Sequence, residues 1–236
     1  MSLHALLDST SHRDLRVLDT AAAALGDAVM TALAMPAEFR QVQAHYPIVF
    51  RRDLTSGGFS ALALFGFENG ENLFLADGRW DAAYRPLAHA VQPFLIGADG
   101  DALQVHIDLG HPRVAADGLG VRLFDDDGQP TPFLEDAAQK LGDLDAAFRS
   151  SGDFFAALER LDLLEPFTLE VPLADGSKHS LVGFHIIDED RLRALGAADI
   201  AALHGEGHLL PLFMAMASIS QFSALVARRN ARLAHG

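Results

Sequence analysis

Asp-Gly recurs five times in this 236-residue chain, as Asp77-Gly78, Asp99-Gly100, Asp117-Gly118, Asp127-Gly128 and Asp175-Gly176. Glycine takes positive φ at little cost, and a short aspartate side chain bonds to turn amides, so Asp-Gly favours tight hairpin connections. Ser56-Gly57-Gly58 reads as a further break. The intervening segments 47–52, 60–67, 72–75, 93–96, 102–109, 121–124, 167–172, 179–187 and 209–216 read as strands. Reversals this tight join antiparallel neighbours, which predicts a largely antiparallel sheet.

Helices are expected between the hairpins. Segment 19–30 is alanine-rich, and 36–45 opens on Pro36 and stops before Pro47. Segment 131–149 places Phe133, Ala137, Leu141, Leu144 and Phe148 on one stripe at helical spacing. A separate helix, 153–161, is expected from Asp153 as N-cap, and others at 188–195, 197–204 and 220–234. Strands followed by a helical middle and mixed elements predict an α+β fold: a mostly antiparallel sheet built from hairpins, with several packed helices. One domain over 1–236 is the expectation, and 128–131 is where a subdomain break would fall.

Composition narrows the function classes. Half the residues are hydrophobic and 21% are charged, as in globular proteins. A net charge of −14 without a dense basic patch disfavours nucleic acid as a partner, since that binding needs phosphate-neutralising cations. With no cysteine, thiolate nucleophiles, thiol-bound zinc and iron–sulfur clusters are excluded. The N-terminus lacks a cationic region followed by an apolar core, and the longest apolar run, 209–217, falls short of the roughly 20 residues that span a bilayer. The expectation is a cytoplasmic protein with no transmembrane segment.

The densest chemistry lies at 105–114, Val-His-Ile-Asp-Leu-Gly-His-Pro-Arg-Val. Alternate side chains share a face in a strand, so His106 and Asp108 point one way and Val105, Ile107 and Leu109 the other. One reading is the near half of a 2-His-1-carboxylate iron(II) triad, with His185 as the distal ligand and Arg191 or Arg193 for a 2-oxoglutarate cofactor. The other is a structural strand whose polar groups bond each other or nearby backbone. His111 and Arg113 suit an anion-binding corner, and Trp80 and Tyr84 a partly exposed cleft wall. The candidate ligand region is therefore His106, Asp108, His111, Arg113, Trp80 and Tyr84, and the candidate metal set is His106, Asp108 and His185.

Other motifs fail on spacing. In Asp125-Asp126-Asp127-Gly128 the glycine follows too directly for a calcium loop, and His204-Gly205-Glu206-Gly207-His208 has the wrong order for a zinc protease helix. There is no Gly-x-Ser-x-Gly, Gly-x-Gly-x-x-Gly or P-loop.

Met35-Pro36-Ala37-Glu38-Phe39, Ala44-His45-Tyr46-Pro47-Ile48-Val49-Phe50, Gly70-Glu71-Asn72-Leu73-Phe74, Gln92-Pro93-Phe94, His106 through Val114, Leu123-Phe124-Asp125 and Leu181-Val182-Gly183-Phe184 occur in that order. Together they resemble the SapC family of bacterial proteins, over about 35–230. The resemblance implies a link to surface-layer genes and to neighbours such as TonB-dependent receptors and halogenase-like enzymes, with no established activity, cofactor or catalytic residues. The leading expectation is a soluble accessory or binding protein whose partner is a small molecule, a peptide or another protein. The alternative is a non-haem iron(II)/2-oxoglutarate oxygenase, with iron(II) as cofactor.

Overall fold

The computed structural model describes residues 3–99, 102–115, 118–172 and 178–235. Strands β1 (His4–Leu6) and β2 (Arg16–Val17) come first, then a 3₁₀ turn at Ala23–Leu25 and strand β3 (Thr31–Leu33). A second 3₁₀ turn, Pro36–Glu38, runs into helix α1 (Phe39–Val42), followed by β4 (Ile48–Arg52) and β5 (Phe59–Leu64). The hairpin of β6 (Leu75–Ala76) and β7 (Arg79–Trp80) precedes helix α2 (Leu87–Ala90), and β8 (Phe94–Asp99) is followed by β9 (Ala102–Asp108). Short strands β10 (Val114–Ala115) and β11 (Val121–Arg122) lead to the long helix α3 (Pro132–Arg160). Strands β12 (Leu164–Pro172) and β13 (Lys178–Ile187) give way to helices α4 (Glu189–Arg193), α5 (Ala197–Gly205), α6 (Leu209–Ser218) and α7 (Gln221–His235). Every pairing among these strands is antiparallel, and the fold is α+β.

Two compact units divide the chain: Met1–Ala28, Leu75–Asp81 and Leu87–Ala146 form the first, and Val29–Phe74, Ala82–Pro86 and Ala147–Gly236 the second. The loop 128–131 lies inside the first. That unit has two three-stranded sheets, ordered β1-β9-β8 and β10-β2-β11, and the β6–β7 hairpin. Asp77 and Gly78 both take positive φ, 51° and 72°, so this hairpin turns as its Asp-Gly predicts. Ile107, at 0% exposure, sits among Val17, Val91, Phe94, Leu123, Leu134 and Leu141, which joins β9 to the first turns of α3.

The second unit is built on a five-stranded sheet, β12-β13-β4-β5-β3. Aromatic rings pack edge-on in its core: Phe39 against Phe154 at 5.9 Å between ring centres, and Tyr46 against Phe74 at 4.6 Å. Buried Ser218 ties α6 to the sheet, its hydroxyl accepting from the Ile48 amide at 2.8 Å. Along α7, Arg229 pairs with Glu71 and Glu68, and Arg228 lies over the Phe74 ring.

Several expectations are corrected. Segment 209–216 is not a strand but helix α6, whose Leu212, Ala215 and Ser218 recur at three-residue spacing and are buried. Taken with α7, the run Leu209–Ala234 has a mean hydropathy of 1.7 over its most apolar 18 residues. By length and composition it is long and apolar enough to cross a membrane, well beyond the run counted from the sequence. Segment 19–30 holds only the 3₁₀ turn at Ala23–Leu25, because Gly26 has φ 89° and the Asp27 carboxylate turns back to the Ala22 amide. The expected helices at 131–149 and 153–161 are one helix, α3. The Ser151 hydroxyl bonds to the Phe148 carbonyl at 2.7 Å, and the buried stripe runs on through Ala147, Phe154 and Leu158, while Phe148, expected on it, is 64% exposed. Near 72–75 the Asn72 side chain accepts from the Phe74 amide and makes a turn, leaving only Leu75–Ala76 as strand. The Asp175-Gly176 turn, Gly100 and Asp117 lie outside the described residues.

Candidate functional site

Strand β9 is central in its sheet, between β1 and β8, and this position consumes the polar face on which the metal reading depends. His106 stands opposite Leu6 on one side and Leu95 on the other. Its imidazole lies across Gly97, so close that a Cβ there would overlap the ring. Asp108 accepts from two backbone amides, Leu3 at 2.9 Å and Gly110 at 3.0 Å. These bonds, that from Leu3 foremost, hold its pKa below the usual carboxylate range.

The polar centre of this unit lies one turn further along. Arg113 is 3% exposed, and its guanidinium donates to the Leu18 and Thr20 carbonyls and, at 2.6 Å, to Asp27 Oδ1. His89 Nε2 meets the same oxygen at 3.0 Å, and the Ala22 amide donates to Oδ2 at 2.7 Å. Burial alone would raise the Asp27 pKa. The His89 bond, the Ala22 amide and the Arg113 charge outweigh that and lower it to about 2. Trp80 covers His89 with ring centres 5.0 Å apart, and His111 packs beside Gly26. Burial, and next the Arg113 charge, push the His111 pKa down.

The structure thus brings Trp80, His111 and Arg113 around an Asp27–His89 pair that the sequence reading missed. An Asp–His contact is the core of many acid–base sites. Here Asp27, His89 and Arg113 are all less than 5% exposed, so no substrate reaches them without opening the unit. What the network does is fasten the 18–27 segment to the corner after β9. No motif pointed to Asp27 or His89: they stand 62 residues apart, one in an alanine-rich stretch and the other in a four-residue helix.

The other candidates belong to the second unit. The Tyr84 hydroxyl donates to Glu38 Oε2 at 2.7 Å, and Glu38 Oε1 accepts from the Met35 amide, closing the turn into α1. His185 sits on β13, opposite Phe50, just past an irregularity where Gly183 takes φ 82°. That break shifts the strict alternation, so Leu181, Phe184 and Ile187 are the buried residues. Among the described residues, no group of three or more His, Asp or Glu side chains is placed to hold a metal ion. Arg191 and Arg193 are also engaged, with the Leu161 carbonyl and with Glu189 and Asp190.

No curated protein and no solved structure matches this chain. The family model described as SapC matches residues 7–225, nearly the whole length. The ordered motifs from Met35 to Phe184 and this match agree: the chain belongs to the SapC family.

Proposed function

We propose that this SapC-family chain is an accessory binding protein, and that its 105–114 strand and corner are scaffold. The observation that carries this reading is the closed Asp27–His89–Arg113 network, in which every charged group is spent on another part of the same unit. Asp108 also serves the backbone here, its Oδ1 accepting from the Leu3 and Gly110 amides, while Oδ2 faces His4 Nε2 at 4.0 Å. The second unit has open clefts beside α3, one of about 290 Å³ between Arg40, Phe154, His208 and Met214. Recognition in such clefts rests on shape and a few convergent polar groups. The family's link to surface-layer and outer-membrane uptake genes supports a role beside those systems.

The test uses the full-length protein and His106→Ala, each offered iron(II) and 2-oxoglutarate in air. The binding reading expects no bound iron after desalting and no oxygen uptake, while a small-molecule panel raises the melting temperature of both proteins alike. About one iron per chain, lost in His106→Ala, would overturn it in favour of the oxygenase.

A further inference from the structure

A second cleft in the second unit, of about 360 Å³, is lined by charges of both signs. Arg52 stands on one wall. Its Nε donates to the Gly57 carbonyl at 2.9 Å, and its guanidinium carbon lies 5.5 Å from the centre of the Phe59 ring. Those two contacts position the group and leave its terminal nitrogens without an ion pair among the described residues. The same cleft is lined by Glu159 and Asp162, at the C-terminal end of the 29-residue helix α3.

That end already carries the negative pole of the helix dipole, where a cation is favoured and carboxylates are not. Asp162 takes φ 54°, and the Leu163 amide closes back to the Leu158 carbonyl, which ends the helix at the cleft. Neither carboxylate has an ion-pair partner among the described residues, and neither comes within ion-pair distance of Arg52. Opposite charges that line one cleft without neutralising each other leave room for a ligand that carries both.

His185 completes the wall, its ring edge-on to Phe59 at 5.0 Å. Its Nδ1 is shut off from solvent and has no hydrogen-bond partner. The ring can therefore turn over without giving up a bond there, and so present that nitrogen to a bound group. Burial, and next the Arg52 charge, lower the His185 pKa, which favours the neutral ring.

We propose that this cleft binds a small zwitterion of the α-amino-acid class, its carboxylate on Arg52, its ammonium on Glu159 and Asp162, and its side chain against Phe59 and His185. The proposal rests on the binding-protein reading above and gives that reading a ligand class.

The experiment is calorimetric titration of the full-length chain with each of the common L-amino acids, with acetate and methylammonium as single-charge controls. Arg52→Gln and Glu159→Gln/Asp162→Asn are surface changes, and unchanged melting temperatures would show that both variants fold. The expected result is saturable binding of one or a few amino acids, weakened about tenfold or more in both variants, with neither control competing. The His185 ring resonances should shift on binding. No binding up to about 10 mM would overturn the proposal, as would acetate binding equally well or affinity indifferent to both variants. If amino acids fail while another compound in the panel binds, only the ligand class falls. Stoichiometric iron lost in His106→Ala would instead remove the reading beneath it.

Discussion

Two histidines with similar neighbours have opposite fates in this protein. His89 in the first unit and His185 in the second each lie against an aromatic ring, with an arginine nearby. Around His89, the Asp27 carboxylate accepts from the ring, from Arg113 and from an amide, all in the interior. Around His185, a buried nitrogen has no partner, and Arg52, Glu159 and Asp162 stand apart at a cleft. A buried charge set persists when its members satisfy one another, and is then costly to disturb. An unsatisfied atom beside unpaired charges marks a place where something else can enter. Residue type alone therefore does not separate scaffold from site; the state of the hydrogen bonds does.

Breaking the closed network should have the largest effect. Asp27→Asn leaves the Arg113 guanidinium buried without its counter-charge, and a loss of about 3–5 kcal/mol in unfolding free energy is expected. Chemical denaturation at neutral pH measures it. A loss under about 1 kcal/mol would show that the network is not the fastening described here.

Acid probes the same carboxylate without mutation. The Asp27 pKa falls from 3.8 to about 2 on folding, so the folded state holds its proton less tightly than the unfolded chain. Its contribution, roughly 2 kcal/mol, is complete above about pH 4 and lost as the pH falls through 2. His111 and His185 also have lowered pKa values, so burial as neutral rings adds a shallower decline that begins below 6.5. Denaturation midpoints across this range should show both limbs, and Asp27→Asn should flatten the steeper one. An unchanged acid limb in that variant would detach Asp27 from the pH dependence.

Gly97→Ala tests whether His106 is packed rather than poised. The added methyl would overlap the imidazole, and forcing the ring aside should cost about 1–2 kcal/mol, in the range of ordinary overpacking. The double variant Gly97→Ala/His106→Ala should regain most of that loss, because the clash is confined to the pair. Equal losses with and without His106 would place the strain elsewhere.

Legibility from sequence followed the range of the interaction. The Asp77-Gly78 hairpin, the 47–52 strand and the Ala137–Leu141 part of the α3 stripe were readable because turn geometry and side-chain period are local, whereas Phe148, expected on that stripe, faces solvent. The α6 segment was misread because a short run of Leu, Phe and Met fits a buried strand as well as a helix, and its helical burial appears only once it packs on α1, β4 and β13. His111, Arg113 and Trp80 stood out as polar or aromatic residues near a turn. Asp27 and His89 did not, since their pairing spans 62 residues and the Asp27–Arg113 bond spans 86. The His185 cleft was invisible for the same reason: Arg52 on β4, His185 on β13 and the Glu159–Asp162 end of α3 are far apart in sequence and share no motif.

The smallest expected effect is the most discriminating between the two histidines. His185→Phe keeps an aromatic edge against Phe59 and removes the nitrogen that has no partner. Deleting an unsatisfied buried polar atom costs nothing in hydrogen bonds, so stability should stay within about 0.5 kcal/mol of the parent, on the favourable side. The equivalent change at position 89 would strip one bond from Asp27 and should cost several times more. A loss above about 1 kcal/mol for His185→Phe would mean that Nδ1 has a partner after all, a water or a bound group, and the contrast between the two sites would collapse.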